Sequence, residues 1–167
     1  YDNEAYMNTG IQRSGATPLG AWTTTTPAGK QEGKKDIVGM LLAQGIPYIA
    51  TASAGYIEDF QRKVAKAKDT DGPAYLHVQT PCSTGWRFPA RDTITVARLA
   101  VETGLWPLFE AVNGKVRVTH KVKEFKPLEE YLQRQGRFRN ITPAQVARLK
   151  AAAQRYYADL LAKEAEA

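Results

Sequence analysis

Two short apolar runs, IPYIATA at 46–52 and AYLHVQT at 74–80, constrain this chain most, because each follows a segment of helical spacing. Residues 34–44 place Ile37, Met40, Leu41 and Gln44 at helical intervals, and Gly45 stands where a helix C-cap is expected. Residues 55–69 repeat the pattern through Ile57, Phe60, Val64 and Ala67, and Asp71-Gly72-Pro73 makes a turn. A run that is apolar without alternation reads as a strand buried on both faces, and strands alternating with helices at these intervals imply parallel βαβ units. The expected class is α/β with a doubly wound, mainly parallel sheet.

The pattern continues beyond residue 80. Residues 92–104 read as a helix with Asp92 as N-cap and Gly104 closing it. WPLFEAV (106–112), Asn113-Gly114 and KVRVTHKV (115–122) read as a β-hairpin, because Asn-Gly supplies the positive φ that a two-residue turn needs. Residues 126–137 read as a short helix, and Thr142 with Pro143 opens a long C-terminal one. The expected division is an α/β part at 1–112 and a hairpin-and-helix extension at 113–167.

The 167 residues suit one domain, and a 43% hydrophobic content can build a core. The net charge of +6 fits nucleic acid, an anionic surface or an acidic protein partner without choosing among them. A single Cys excludes an internal disulfide framework and points to a reducing, cytoplasmic setting. No stretch reaches the roughly 18 apolar residues of a membrane span.

Residues 1–33 are different. Gly10, Gly15, Pro18, Gly20, Pro27, Gly29 and Gly33 punctuate a polar stretch with Thr at 23–26. So long an irregular stretch inside a compact domain is usually functional. Ligand loops of parallel sheets leave the carboxyl ends of strands, yet no strand precedes this one. The expectation is a C-terminal part of a larger α/β domain, through truncation, cleavage or a separately encoded half.

DNEAYMNTGIQRSGATPLGA (2–21) resembles the thiamine-diphosphate loop of the pyruvate:ferredoxin oxidoreductase family, specifically that of its cofactor-binding beta subunit. Asp2, Glu4, Tyr6, Asn8, Thr9, Gly10, Gln12, Ser14, Thr17, Pro18, Gly20 and Ala21 fit the family pattern. The likeness extends through IPYIATAS (46–53), TPCSTGW (80–86), ARLAVETGLWPLFE (97–110) and YLQRQGRF (131–138). It implies the C-terminal part of a thiamine-diphosphate-binding α/β domain. It further implies Mg²⁺ ligation by the Asn3 side chain and the Ala5 carbonyl, diphosphate contacts from Asn8 and Thr9, and backbone approach at Gly10. The family's G-D-G motif and three cluster cysteines lie upstream and are not in these residues. The acid that activates the cofactor and the Arg that grips the 2-oxoacid sit on a partner subunit in the family.

A lone Cys is most often a small buried hydrophobe. The resemblance instead makes Cys82, in QTPCSTGW, the fourth ligand of a [4Fe–4S] cluster. The implied enzyme oxidises a 2-oxoacid, pyruvate first, with coenzyme A to acyl-CoA and CO₂, and passes electrons to ferredoxin. Its partners are the upstream half of the subunit and the other subunits. 2-Oxoisovalerate, oxalate and phenylglyoxylate are the alternative substrates, and a non-catalytic basic binding or assembly module is the alternative role. Residues 115–155 hold eleven Lys or Arg against Glu124, Glu129 and Glu130. They read as a solvated face first and as a dock for an acidic carrier second. His77, in an apolar strand, reads as a satisfied core residue, and His120 has no metal-ligand spacing. Nothing in the loop interleaves basic and aromatic residues for nucleic acid.

Overall fold

A computed structural model describes residues 1–166. The first apolar run becomes β1 (Tyr48–Ser53), buried at all six positions. β2 (Ala74–Gln79) lies parallel to it, linked through α2 (Ile57–Lys68), as the βαβ pattern requires. α1 (Ile37–Ala43) precedes β1; it begins at Ile37 because Asp36 accepts from the Gly39 N–H at 2.8 Å. After β2 come a one-turn helix α3 (Ser83–Trp86), a 3₁₀ turn (Ala90–Asp92) and α4 (Thr93–Glu102). Asp92 stands at the N-cap of α4 without a capping hydrogen bond.

β3 (Leu108–Val112) and β4 (Lys115–His120) form the hairpin, and the sheet order is β2-β1-β3-β4. Asn113 and Gly114 both take positive φ, 48° and 81°, as the Asn-Gly pair demands. β3 runs antiparallel to β1, so one of the three strand pairs among the described residues is parallel. The cause lies in α4. Ser53, the last residue of β1, reaches the Ala97 carbonyl in mid-α4, and the Trp106 indole N–H donates to the Ala52 carbonyl at 3.0 Å. The chain therefore enters β3 at the sheet end where β2 finished, and must run back.

α5 (Leu128–Gln133) is shorter than the 126–137 pattern. Gln135 is extended, and the Gly136 N–H turns to the Arg87 carbonyl at 2.9 Å, giving a 3₁₀ turn at Gly136–Phe138. A Cβ at Gly136 would lie 2.9 Å from the Arg87 Cβ, so the close approach requires glycine. α6 (Pro143–Ala165) opens with a full capping box between Thr142 and Gln145.

Side chains alternate across the sheet. On one face Ile49, Phe109, Ala111, Val116 and Val118 pack against Val38 of α1 and Tyr157 and Leu160 of α6. On the other, α2 brings charge. Lys63, 1% exposed, donates to Asp59 (2.6 Å), the Thr51 carbonyl and the Thr119 hydroxyl (2.8 Å each). Burial lowers its pKa, with Asp59 offsetting part of the shift. Glu110 accepts from Tyr48, Lys66 and Arg117. Burial pushes its carboxyl up, and these donors hold it below the ordinary value. A second core joins α4, α5 and the loop around Trp86, Val96, Leu99, Trp106, Leu108, Leu128, Tyr131 and Phe138. Among the described residues no helix is long and apolar enough to cross a membrane.

Candidate functional site

The long N-terminal loop leaves the sheet at the carboxyl end of its parallel pair. Asp2 forms a parallel bridge with Gln79, through Asp2 N–H to Val78 O (2.8 Å) and Thr80 N–H to Asp2 O (3.1 Å). The Asp2 carboxylate is buried and accepts from the Glu4 N–H (2.8 Å) and from Lys34 Nζ (2.6 Å), and it hydrogen-bonds His77 Nε2 (2.8 Å). Burial alone would raise its pKa; the His77 bond and Lys34 overcome that and hold it far below the usual carboxylate range. His77 is thus the satisfied core residue its strand suggested.

Glu4 adopts φ 60°, and its carboxylate lies between Lys34 (3.0 Å) and Arg137 (2.7 Å). Tyr6 and Gln12 exchange backbone hydrogen bonds of 2.9 and 3.1 Å, closing a turn with Asn8, Thr9 and Gly10 exposed at its tip. Gly10 takes φ 97°, and open space surrounds the position of its missing Cβ.

The Asn3 Nδ2 donates to the Thr80 carbonyl (2.6 Å) and hydroxyl (2.8 Å), which orients its carboxamide. Among the described residues, Asn3 Oδ1, the Ala5 carbonyl, and the N–H groups of Asn8 and Thr9 have no hydrogen-bond partner. This donor set suits the chemistry of a magnesium diphosphate. Hard, neutral oxygens serve Mg²⁺, and free N–H groups in a tight turn serve phosphate oxygens.

Cys82 follows β2 through Pro81 and caps α3, its Sγ accepting from the Gly85 N–H at 3.4 Å. It is half-buried beside the Trp86 core, where Met7 also packs. The Trp86 indole N–H donates to the Asn3 carbonyl at 2.7 Å. The structure therefore brings Asn3, Ala5 and Cys82 to one end of the sheet. No group of three or more His, Cys, Asp or Glu among the described residues could hold a metal alone.

Sequence reasoning missed Arg137, which it left in the basic run. Arg137 is 3% exposed and stacks 3.6 Å from the Trp86 ring centre. Four of the eleven basic residues form internal ion pairs: Arg117 with Glu110, Lys121 with Glu164, Lys126 with Glu102 and Arg137 with Glu4. The only local hint was Tyr131, Gln135 and Phe138 flanking Arg137 at core-like spacing. His120 stacks on Tyr56 at 4.5 Å.

Residues 1–78 match the family described as thiamine pyrophosphate enzyme, C-terminal TPP binding domain, a match that contains the loop, β1, α2 and most of β2. The loop and the sheet end that carries it, as far as Val78, lie within that match. The chain is 55% identical over 155 residues to pyruvate synthase subunit PorB of Methanothermobacter thermautotrophicus, covering 90% of this chain and 54% of that protein. It is 53% identical over 149 residues to ketoisovalerate oxidoreductase subunit VorB of Pyrococcus abyssi, covering 85% and 48%. Among solved structures, a chain of the 2-oxoglutarate:ferredoxin oxidoreductase from Magnetococcus marinus is 30% identical, with a TM-score of 0.49, covering 56% of this chain and 31% of that one. The chain is similar to these PorB and VorB subunits, and it spans about half the length of the curated relatives it matches.

Proposed function

We propose that these residues form part of the cofactor-binding subunit of an enzyme that oxidatively decarboxylates a 2-oxoacid with coenzyme A. Acyl-CoA and CO₂ are the products, and ferredoxin takes the electrons in the cytoplasm. The observation that carries the reading is the set of partnerless oxygens and N–H groups between Asn3 and Thr9 at the carboxyl end of the parallel pair. In this reading Asn3 Oδ1 and the Ala5 carbonyl hold Mg²⁺. The Asn8 carboxamide and the N–H groups at Asn8 and Thr9 meet the diphosphate, and Gly10 leaves room for it. When bound, thiamine diphosphate supplies the electron sink for decarboxylation. The chain's own part is to hold and orient it. The paired bonds from Asn3 to Thr80 fix the carboxamide, and the saturated Asp2 and Glu4 carboxylates hold the backbone on either side. Cys82 gives one thiolate to a [4Fe–4S] cluster that takes its other ligands from outside these residues.

Pyruvate is the substrate we propose. 2-Oxoisovalerate is the second reading, favoured by the 53% identity to a ketoisovalerate oxidoreductase subunit. Ratios of kcat/KM for the two acids in the complete enzyme separate them.

The cofactor assignment is tested with Asn8→Ala in the complete enzyme. Asn8 is exposed and its side chain bonds nothing among the described residues, so the melting temperature of the cofactor-free enzyme stays put. Calorimetric titration should show thiamine diphosphate binding weakened by about tenfold, the value of one charge-assisted contact. A lower melting temperature with unchanged affinity overturns the assignment.

A further inference from the structure

We infer that Arg137 is a positioning residue for the cofactor loop, setting through Glu4 and Trp86 the backbone that joins Asn3 Oδ1 to the Ala5 carbonyl. The inference rests on the proposal that those two oxygens hold the metal.

Glu4 stands between the two oxygens, and its φ of 60° is a left-handed conformation that a residue with a Cβ seldom takes unaided. Four contacts hold it there. Its N–H donates to Asp2 Oδ1 (2.8 Å), its carbonyl accepts from the Thr17 hydroxyl (2.7 Å), and its carboxylate binds Lys34 (3.0 Å) and Arg137 (2.7 Å). Arg137 comes from farthest away, 133 residues along the chain.

Its own placement is over-determined. Nε donates to Gln135 Oε1 at 2.9 Å, Nη2 also reaches the Tyr131 hydroxyl at 3.2 Å, and the plane stacks on Trp86. The Arg137 carbonyl accepts from the Trp22 N–H at 2.7 Å, so the backbone is tied down as well. Trp86, the residue it stacks on, donates to the Asn3 carbonyl. One guanidinium thus reaches both flanks of the turn, Glu4 directly and Asn3 through the indole. A planar fork that also stacks does this; an ammonium does not. Arg137 and Lys34 together also balance Asp2 and Glu4. Two acids in the first four residues would otherwise leave negative charge beside a diphosphate.

The test uses the complete enzyme stripped of cofactor, titrated by calorimetry with thiamine diphosphate at saturating Mg²⁺ and then with Mg²⁺ at saturating thiamine diphosphate. The variants are Arg137→Lys, Glu4→Gln and Asn3→Ala, with the double Arg137→Lys/Asn3→Ala. Supporting ligands of a metal site typically change affinity by about 10- to 100-fold, so Arg137→Lys should weaken the Mg²⁺ titration about tenfold. The melting temperature of the cofactor-free enzyme should fall as well, because a lysine cannot keep the stack on Trp86 and the bonds to Gln135 and Tyr131 together. The coupling to Asn3 is therefore what separates a positioning role from a structural one. The double variant should lose less than the sum of the two single losses, because Arg137 acts in part through the oxygen that Asn3→Ala removes. A residue of purely structural role would add its effect to that of Asn3→Ala independently. Glu4→Gln removes the ion pair while leaving Arg137 stacked, and should weaken Mg²⁺ binding even if the Arg137 variant fails to fold. Wild-type affinity in Arg137→Lys and Glu4→Gln where Asn3→Ala is impaired overturns the inference. Wild-type affinity in Asn3→Ala overturns the cofactor reading itself, and this inference with it.

Discussion

Replacing Cys82 with Ser separates the two roles open to that residue. As a packing group the thiol does little. Its Sγ accepts one N–H from Gly85 at 3.4 Å, a weak contact, and the side chain is half-buried. An ordinary hydrogen bond is worth about 1 kcal/mol, so this one is worth less. Ser is a favoured N-cap and can accept the same N–H. The net change in folding stability should therefore stay within about 1 kcal/mol, equivalent to roughly 2–4 °C in melting temperature for a domain this size. As a cluster ligand the thiolate has no substitute of similar softness, so the same exchange should lose or convert the cluster. The assay is iron per protomer in the complete enzyme, with the electron paramagnetic resonance spectrum of its reduced form. Lost iron itself destabilises, because anything bound to the folded state adds stability. The melting temperature of Cys82→Ser is therefore compared with wild-type enzyme stripped of iron, and should match it within about 4 °C. Unchanged iron and an unchanged spectrum refute the ligand assignment. A fall of about 10 °C below the stripped enzyme refutes the packing estimate.

Two further outcomes follow from the charged layer under α2 and from the loop. Lys63→Met leaves the buried Asp59 with only Arg62 at 3.6 Å, and should cost about 2–4 kcal/mol in urea denaturation. Adding Asp59→Leu should recover most of that, and a double variant weaker than the single would contradict the account. Asp2 and Glu110 both have folded-state pKa values below their ordinary ones. The folded protein therefore binds fewer protons than the unfolded chain in acid. The stability these groups supply is full above about pH 5 and is lost as pH falls through and below about 4. Melting temperature should be level from pH 7 to 5 and drop below 4, and Glu110→Gln should flatten part of that drop.

Local chemistry decides what can be read from residues alone. β1 was legible because a strand covered on both faces shows a mainly apolar run without alternation, its polar residues Thr51 and Ser53 being small and hydrogen-bonded. The Asn113-Gly114 hairpin and the Thr142 capping box were legible because each is completed within a few residues. The direction of β3 was not, since it depends on where α4 rests against Ser53. The end of α5 depends on Arg87, and the sequence around Gln135 contains no sign of that partner. Arg137 was one cation in a row of eleven, because an ion pair to Glu4 across 133 residues leaves no local trace.

The loop motif shows the same limit at finer scale. Asp2 and Glu4 are charged oxygen donors and the most tempting metal ligands in DNEAYMNTG. Both are buried, and both are engaged by His77, Lys34 and Arg137. The neutral Asn3 Oδ1 and Ala5 carbonyl interleave with them and have no partners among the described residues. Adjacent letters of one motif thus do opposite work. Asp2 and Glu4 turn inward and hold the backbone in a conformation it would not otherwise keep. Asn3, Ala5, Asn8 and Thr9 keep donors and acceptors free because that backbone is held. With Asp2 and Glu4 already paired, the N–H groups of the cradle can face phosphate oxygens with no free carboxylate beside them, while its neutral oxygens stay open to Mg²⁺.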